Sequence, residues 1–447
     1  MEERLRSFVE STLGARVEAS EPLGSGASRA TWRLRCSDGA ERVLRADTGD
    51  GPMAGTPLTL AREAAVYAAL QAHEVPIPRL LGIAPGGEAL LVERVPGDEA
   101  LDGLAPEARA EVMGGYVDAL AALHRIDAET LDLPGFARPG RRDPALPELA
   151  LWQGVYEKRV VRPAPLARFA FSWLERHAPA EAERVALCHG DVGPGNFLHE
   201  NGRVTALLDW EFAHLGDPHD DLAWLAFRGH HLHEGVGDFA AQLGRWSRAT
   251  GLAVAPERVA WYRALVMLRM LVSCLAGLDS GAASLDRTVY FSLAALLEGL
   301  LPRALAALAG IDLAPPSPAP AAGATGATEV FASVQAELAG TVLPALPSAA
   351  RRRASGLALL LLHLEASDRL GPAVREAERE AAARALGRAP EASAIAETVD
   401  AAVRADATDD ERWIRFFTEC GGRRIALWPF LAPLATKPLV PLTEPAR

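Results

Sequence analysis

Lysine is almost missing from this chain of 447 residues: Lys158 and Lys437 are the two it has, and arginine carries the remaining positive charge. Acids outnumber bases, and the formal net charge is −12. Such a balance argues against partners held by lysine and arginine, whether a nucleic-acid backbone or an anionic membrane surface. Cysteine is also scarce. Cys36, Cys188, Cys274 and Cys420 stand far apart without metal or redox spacing, which predicts buried free thiols in a reducing cytoplasm. No apolar run reaches the ~18–20 residues that a bilayer span requires; the longest of note, at 357–364, is interrupted by His363. The charged, helix-patterned start does not read as a secretory signal. Lysine poverty together with many Ala, Gly and Pro residues reads as the imprint of a GC-rich bacterial gene, not of a fold. What is present, 49% hydrophobic and 23% charged residues, predicts a globular protein of two or three packed units.

Organisation follows from periodicity. An amphipathic helix carrying Leu5, Phe8, Val9 and Leu13 precedes alternating, strand-like segments at 16–23, 29–36 and 41–46. A Gly/Pro-rich loop at 47–57 leads into a helix at 58–73, then two strands at 79–84 and 89–95 are joined by a turn at Pro85-Gly86-Gly87. The predicted units are 1–97, 98–310 (mostly helical), a linker at 311–328 without charge from 314 onward, and helical 329–447.

One β-rich island interrupts the helical unit at 185–210. A strand ends at His189-Gly190-Asp191, and Gly193-Pro194-Gly195 keeps the following residues out of regular structure. Two short strands then flank Asn201-Gly202, the pair favoured in a type I′ hairpin turn. A hairpin centred there brings Asn196 and Asp209 to the same end. Two hard oxygen donors beside a loop carboxylate suit Mg²⁺. Phosphoryl transfer needs that set: a carboxylate for the attacking hydroxyl, and an Asn and an Asp for the metal.

His-Gly-Asp-x-x-x-x-Asn at 189–196 followed by Asp209-Trp210-Glu211 resembles the paired motifs of the aminoglycoside phosphotransferases and the related choline- and macrolide-kinase-like enzymes. The likeness is nearest to the branch associated with acyl-CoA dehydrogenases. The resemblance covers about the first 310 residues. It implies an α+β, bilobal protein-kinase-like fold, with a β-rich N-lobe and a mainly helical C-lobe, plus a C-terminal all-α domain. It also implies Asp191 as catalytic base, Asn196 and Asp209 as Mg²⁺ ligands, and His189 and Asp221 as structural supports. Upstream it places Gly24, Ser25 and Gly26 over the phosphates of ATP or GTP, Arg45 as the strand base paired with Glu63, and Glu93 to Val95 at the adenine hinge. Arg45 departs from the lysine of the wider superfamily, although Arg is frequent in that branch. The acceptor implied is a small hydroxylated molecule, either an aminoglycoside-like or a hydroxyacyl-CoA-type compound. The rival reading is a nucleotide-binding pseudokinase or scaffold that recruits partners through its helical C-terminal domain.

Other features read as structure. His214, His219, His230, His231 and His233 lack zinc spacing and are expected to line a polar loop at the substrate cleft. Cys188 is expected as a buried thiol, Trp152 and His124 as core packing, and the triplet at 351–353 as a solvated face. Past 329, Val330, Val334, Leu338 and Val342, then the run at 357–364, predict a helical bundle, with a protein partner or a dimer as its expected role.

Overall fold

The computed structural model describes residues 1–25, 29–232, 237–282, 285–313 and 323–439. Five strands form the N-terminal sheet: β1 (Val17–Ser25), β2 (Arg29–Cys36), β3 (Glu41–Asp47), β4 (Leu80–Ile83) and β5 (Ala89–Glu93). Their order is β1-β2-β3-β5-β4, with every neighbouring pair antiparallel. Alternate residues sort onto two faces. Leu34, Leu44, Ala46, Ala89 and Leu91 close over Leu5 and Val9 of α1 (Glu3–Leu13). Val43, Leu90 and Val92 face the other way, toward the core that holds α2 (Leu60–Leu70). This parity decides where Arg45 goes, because it shares its side of β3 with Val43 and therefore faces α2.

The C-lobe begins with α3 (Pro106–Arg125), α4 (Leu146–Arg159) and α5 (Pro165–Arg176), each carrying a proline in its first turn, where a missing N–H costs nothing. The β-rich island follows: β6 (Ala186–Cys188), β7 (Phe197–Glu200), β8 (Arg203–Leu207) and β9 (His214–Gly216), paired β6 with β9 and β7 with β8. Then come α6 (His219–His231), α7 (Phe239–Thr250), α8 (Pro256–Ser280) and α9 (Arg287–Ala309). Helices α8 and α9 correct one expectation. By length and hydropathy both could cross a bilayer, with 83% and 56% of the apolar window buried inside the protein. Buried Arg263 and Arg269 break the apolar run of α8 in sequence without breaking the helix.

The lobes are fastened at several points. The Leu207 N–H donates to the Pro76 carbonyl at 2.7 Å, and Asp98 and His199 exchange backbone hydrogen bonds. Arg159 donates to the Pro52 carbonyl at 3.1 Å and the Gly51 carbonyl at 3.2 Å. Arg62 of α2 donates to the Ala213 carbonyl at 2.8 Å while its guanidinium lies 4.0 Å from the Phe136 ring centroid.

A buried ionic cluster sits under the island. Arg269 pairs with Asp220 and with Glu148, and His214 Nε2 lies 2.8 Å from Asp220. Burial pushes the His214 imidazole down, but Glu148 and Asp220 outweigh it and hold the pKa up at about 9. A folded-state value above the ordinary one makes protonated His214 a stabiliser at low pH. Its contribution is complete below about pH 6.5 and is lost as pH rises through about 9. A His214→Gln variant should therefore melt well below the parent at pH 6 and close to it at pH 10. An equal difference at both pH values would count against the ion pair.

The C-terminal helices are α10 (Thr328–Glu337), a π-helical turn (Leu338–Val342), the single turn α11 (Leu343–Ala345), α12 (Ser348–Leu386), α13 (Ile395–Ala405), α14 (Asp410–Arg424) and the short α15 (Ala432–Ala435). They share one core with the C-lobe. Phe169 packs on Phe417 at 5.7 Å between ring centroids, Arg168 pairs with Asp400 at 2.8 Å, and Arg424 pairs with Glu298 and Glu378. At the crossing of α14 with α9, a Cβ on Gly421 would collide with the Glu298 carbonyl, so only glycine lets the two backbones approach. The expected bundle core needs correction. Val330, Val334, Val342, Leu357, Leu359 and Leu364 are exposed, and the buried set is instead Val374, Ala381, Ala382, Val399, Val403, Trp413 and Ile414. Helical periodicity revealed an apolar face without revealing whether another element covers it.

Candidate active site

After β6, residues 189–191 turn at the junction of the lobes under the control of one buried anion. The Asp221 carboxylate accepts the His189 N–H at 2.8 Å, the Gly190 N–H at 2.9 Å and His124 Nε2 at 2.8 Å. Trp246 Nε1 donates to His124 Nδ1 at 2.9 Å, so the proton of a neutral His124 sits on Nε2, facing Asp221. Burial alone would raise the Asp221 carboxyl, yet His124 and the backbone donors hold it down at about 2. His189 Nε2 bonds to the Leu208 carbonyl at 2.7 Å, which ties the 189–191 loop to the end of β8. Gly190 has φ 81° and no room beside the Phe212 carbonyl. Gly190→Ala should therefore lower the melting temperature by several degrees and abolish turnover. A soluble variant with parental activity would contradict the close approach.

The β7–β8 hairpin turns at Asn201 and Gly202, with φ 51° and 79°, both positive as a type I′ turn requires. The Leu208 N–H donates to the Asn196 carbonyl at 2.8 Å, so the two ends of the hairpin meet. Asn196 Nδ2 donates to the Asp191 carbonyl at 2.7 Å and to Asp191 Oδ2 at 2.6 Å, which leaves its amide oxygen as the open donor. Asp209 adopts φ 60° and is 34% exposed at its side chain. Thus Asp191, Asn196 and Asp209 come from two loops joined by the hairpin.

Arg45 reaches this group from the sheet. Its guanidinium lies 2.5 Å from Glu63 Oε1 and 3.1 Å from Asp209 Oδ1, bridging α2 and the end of the hairpin. Burial raises the Glu63 carboxyl to about 7 despite Arg45. Burial would raise Asp209 as well, but Arg45 outweighs it and holds that carboxyl below its ordinary value. Glu93 ends β5 and accepts the Arg79 N–H at 3.0 Å, with Val95 half-buried after it. Gly24 and Ser25 end β1, and Gly26 lies outside the described residues.

A family model described as the phosphotransferase enzyme family matches residues 20–262, more than half of the chain. The chain belongs to that family. Aminoglycoside 3'-phosphotransferase of Streptomyces fradiae is 30% identical over 209 residues, covering 44% of this chain and 74% of its own. Acyl-CoA dehydrogenase family member 10 of Mus musculus is 27% identical over 237 residues, 50% of this chain. Member 11 of Gallus gallus is 30% identical over 213 residues, 45% of this chain. The chain spans 22% and 26% of the lengths of these two relatives. A solved structure from Ralstonia eutropha, proposed to be an aminoglycoside phosphotransferase, has the same fold. Its TM-score is 0.50 at 23% identity, covering 68% of this chain and 95% of that one.

In this phosphotransferase the carboxylates outnumber the cations around Arg45. Glu211 stands two residues past Asp209, and burial, with Asp209 adding to it, raises its carboxyl to about 8. Glu63, Asp209 and Glu211 thus share the field of Arg45 and Arg29. A divalent cation on the Asn196 amide oxygen and the Asp209 carboxylate would relieve that repulsion, so the donor set fits Mg²⁺.

Sequence reading of the phosphotransferase missed two residues beside the Asp191 loop, Arg228 and Tyr116, and gave no role to Glu211 beside Asp209. Arg228 of α6 donates to Asp191 Oδ1 at 3.1 Å and also to the Pro194 carbonyl. A Cβ on Gly193 would strike that guanidinium. The Tyr116 hydroxyl accepts the Gly193 N–H at 3.0 Å and its ring stacks on Phe197. Glu211 was visible in the motif but carried no assigned role. The histidine expectation also needs correction. His214 is buried and ion-paired with Asp220, and His219 is buried and hydrogen-bonded to Asp217, because each sits beside a carboxylate of α6 or its approach; His233 lies outside the described residues. His124 does more than pack, since it buttresses Asp221. Among the described residues, His124, Cys188 and Asp221 are close enough to suggest a metal site, but the hydrogen bonds above already engage the histidine and the carboxylate.

Proposed function

We propose that this chain transfers the γ-phosphoryl group of ATP, or of GTP, to a hydroxyl of a small molecule, with Asp191 as the general base. What supports the reading is the Asn196 amide bonded to Asp191, with the Leu208 N–H on the Asn196 carbonyl setting the residue before Asp209 beside Asn196. Asp191 takes the proton of the acceptor hydroxyl as its oxygen bonds to phosphorus. The bond from that phosphorus to the bridging oxygen breaks, and the nucleoside diphosphate leaves with the electron pair. Asn196 and Asp209 would hold Mg²⁺, which would offset the charge of the triphosphate. Arg228 orients Asp191 through its hydrogen bond to Oδ1. Arg45 moves its fork from Asp209 toward the phosphates on nucleotide binding and keeps its hold on Glu63, an exchange that bidentate geometry suits.

The acceptor is either aminoglycoside-like, as the name of the Streptomyces fradiae relative suggests, or a hydroxyacyl-CoA, as the dehydrogenase relatives suggest. A protein that binds nucleotide without turnover is favoured by a single feature, the engagement of Asp209 by Arg45. A melting shift with ATP that requires Mg²⁺, followed by a mass-spectrometric screen of hydroxylated metabolites, antibiotics and acyl-CoAs, separates these readings. The kinase reading predicts a product heavier by one phosphoryl group. A shift without product across the panel supports the scaffold, and no shift at all removes both.

A further inference from the structure

Helix α12 carries an apolar stripe that no described residue covers. No described residue from 328 to 370 is buried, although α10 and the first half of α12 pack antiparallel through Gln335 with Glu365 and Thr325 with Asp368. One side of α12 is occupied by the C-lobe, where His363 stacks on Trp428 at 3.8 Å and Gly356 touches Thr288. The free side bears Leu357 and Leu364, 58% and 55% exposed, with half-buried Leu361 between them. On α10, Val330 and Val334 are exposed four residues apart. Leu357 and Leu364 with Val330 and Val334 leave four exposed aliphatic side chains on two packed helices, a patch on the order of 300 Å², the size at which interaction surfaces begin.

We propose that the covering surface is the same face of a second copy of this chain, with the two α12 helices crossing antiparallel about a midpoint between Leu360 and Leu361. The sequence is self-complementary about that point. Leu357 of one copy meets Leu364 of the other, and exposed Arg353 meets the Asp368 carboxylate, whose other oxygen accepts from the Thr325 hydroxyl of its own chain. Positions 353, 357, 361, 364 and 368 lie on one face of a helix. A two-fold interface demands that kind of reciprocity, with residue i meeting j and j meeting i. The α10–α12 hairpin is half of an antiparallel four-helix bundle, and a second copy supplies the other half.

Sedimentation of the full chain between about 1 and 50 μM is expected to give twice the 47.5 kDa chain mass. Leu357→Glu with Leu364→Glu should leave a monomer with parental melting temperature and parental nucleotide-induced shift, since neither residue touches the site. Arg353→Asp should weaken the dimer at least tenfold, and adding Asp368→Arg should restore it. Should the leucine variant fail to fold, the charge pair reads the same face. A parental chain monomeric at every concentration overturns the proposal, including one that associates only with a separate dehydrogenase. So does a dimer indifferent to both pairs of changes.

Discussion

Asp191→Asn should retain nucleotide binding and lose phosphoryl transfer by roughly 10²–10⁴-fold, the range ascribed to a positioned general base. The amide is nearly isosteric, but its single oxygen can replace only one of the two that accept from Arg228 and from Asn196 Nδ2, so the loop keeps one of these hydrogen bonds and loses the other. What disappears is the negative charge that receives the acceptor proton. A fall in kcat with little change in the nucleotide-induced melting shift would assign the loss to the chemical step. A parallel fall in nucleotide affinity would place the defect in the architecture of the site. Turnover within tenfold of the parent would show that Asp191 is not the base.

Asp221→Ala should cost about 3–5 kcal/mol, the penalty for breaking a buried charge network on one side. Two backbone N–H groups of the catalytic loop and the His124 ring lose their acceptor together, and no water reaches a site whose side chain is fully buried. Melting should drop by roughly 3–5 °C, and transfer should fall further than stability explains because the loop carries Asp191. The acid limb follows from the depressed carboxyl. Stability from Asp221 is whole above about pH 4 and is lost as pH falls toward 2. Acid unfolding of the parent should therefore steepen in that window, and the variant should lack the step. Equal acid profiles for the two proteins would refute the network.

Much of this architecture could be read from local chemistry. Period-two alternation gave the five strands nearly residue by residue. Asn201-Gly202 gave the hairpin, because so few residues tolerate two consecutive positive φ angles. The parity of β3 also carried Arg45 to the α2 side. What stayed hidden depends on contacts far apart in sequence. Arg228 reaches Asp191 from a helix 37 positions downstream, and Tyr116 reaches Gly193 across 77 positions. Neither belongs to a motif that spacing can reveal. The leucines of α12 show the same limit from the opposite side, since a helical stripe looks identical whether its partner lies in the same chain or in another.

The grip of Arg62 on the Ala213 carbonyl reaches beyond local packing. In many kinases, activity is switched by swinging the helix that bears the glutamate partner of the strand base. Here that helix is riveted to the segment just past Asp209, so Glu63 and Asp209 travel as one body and the lever has no free arm. Arg62→Ala is therefore expected to loosen α2 against the segment past Asp209, read as faster amide exchange in both.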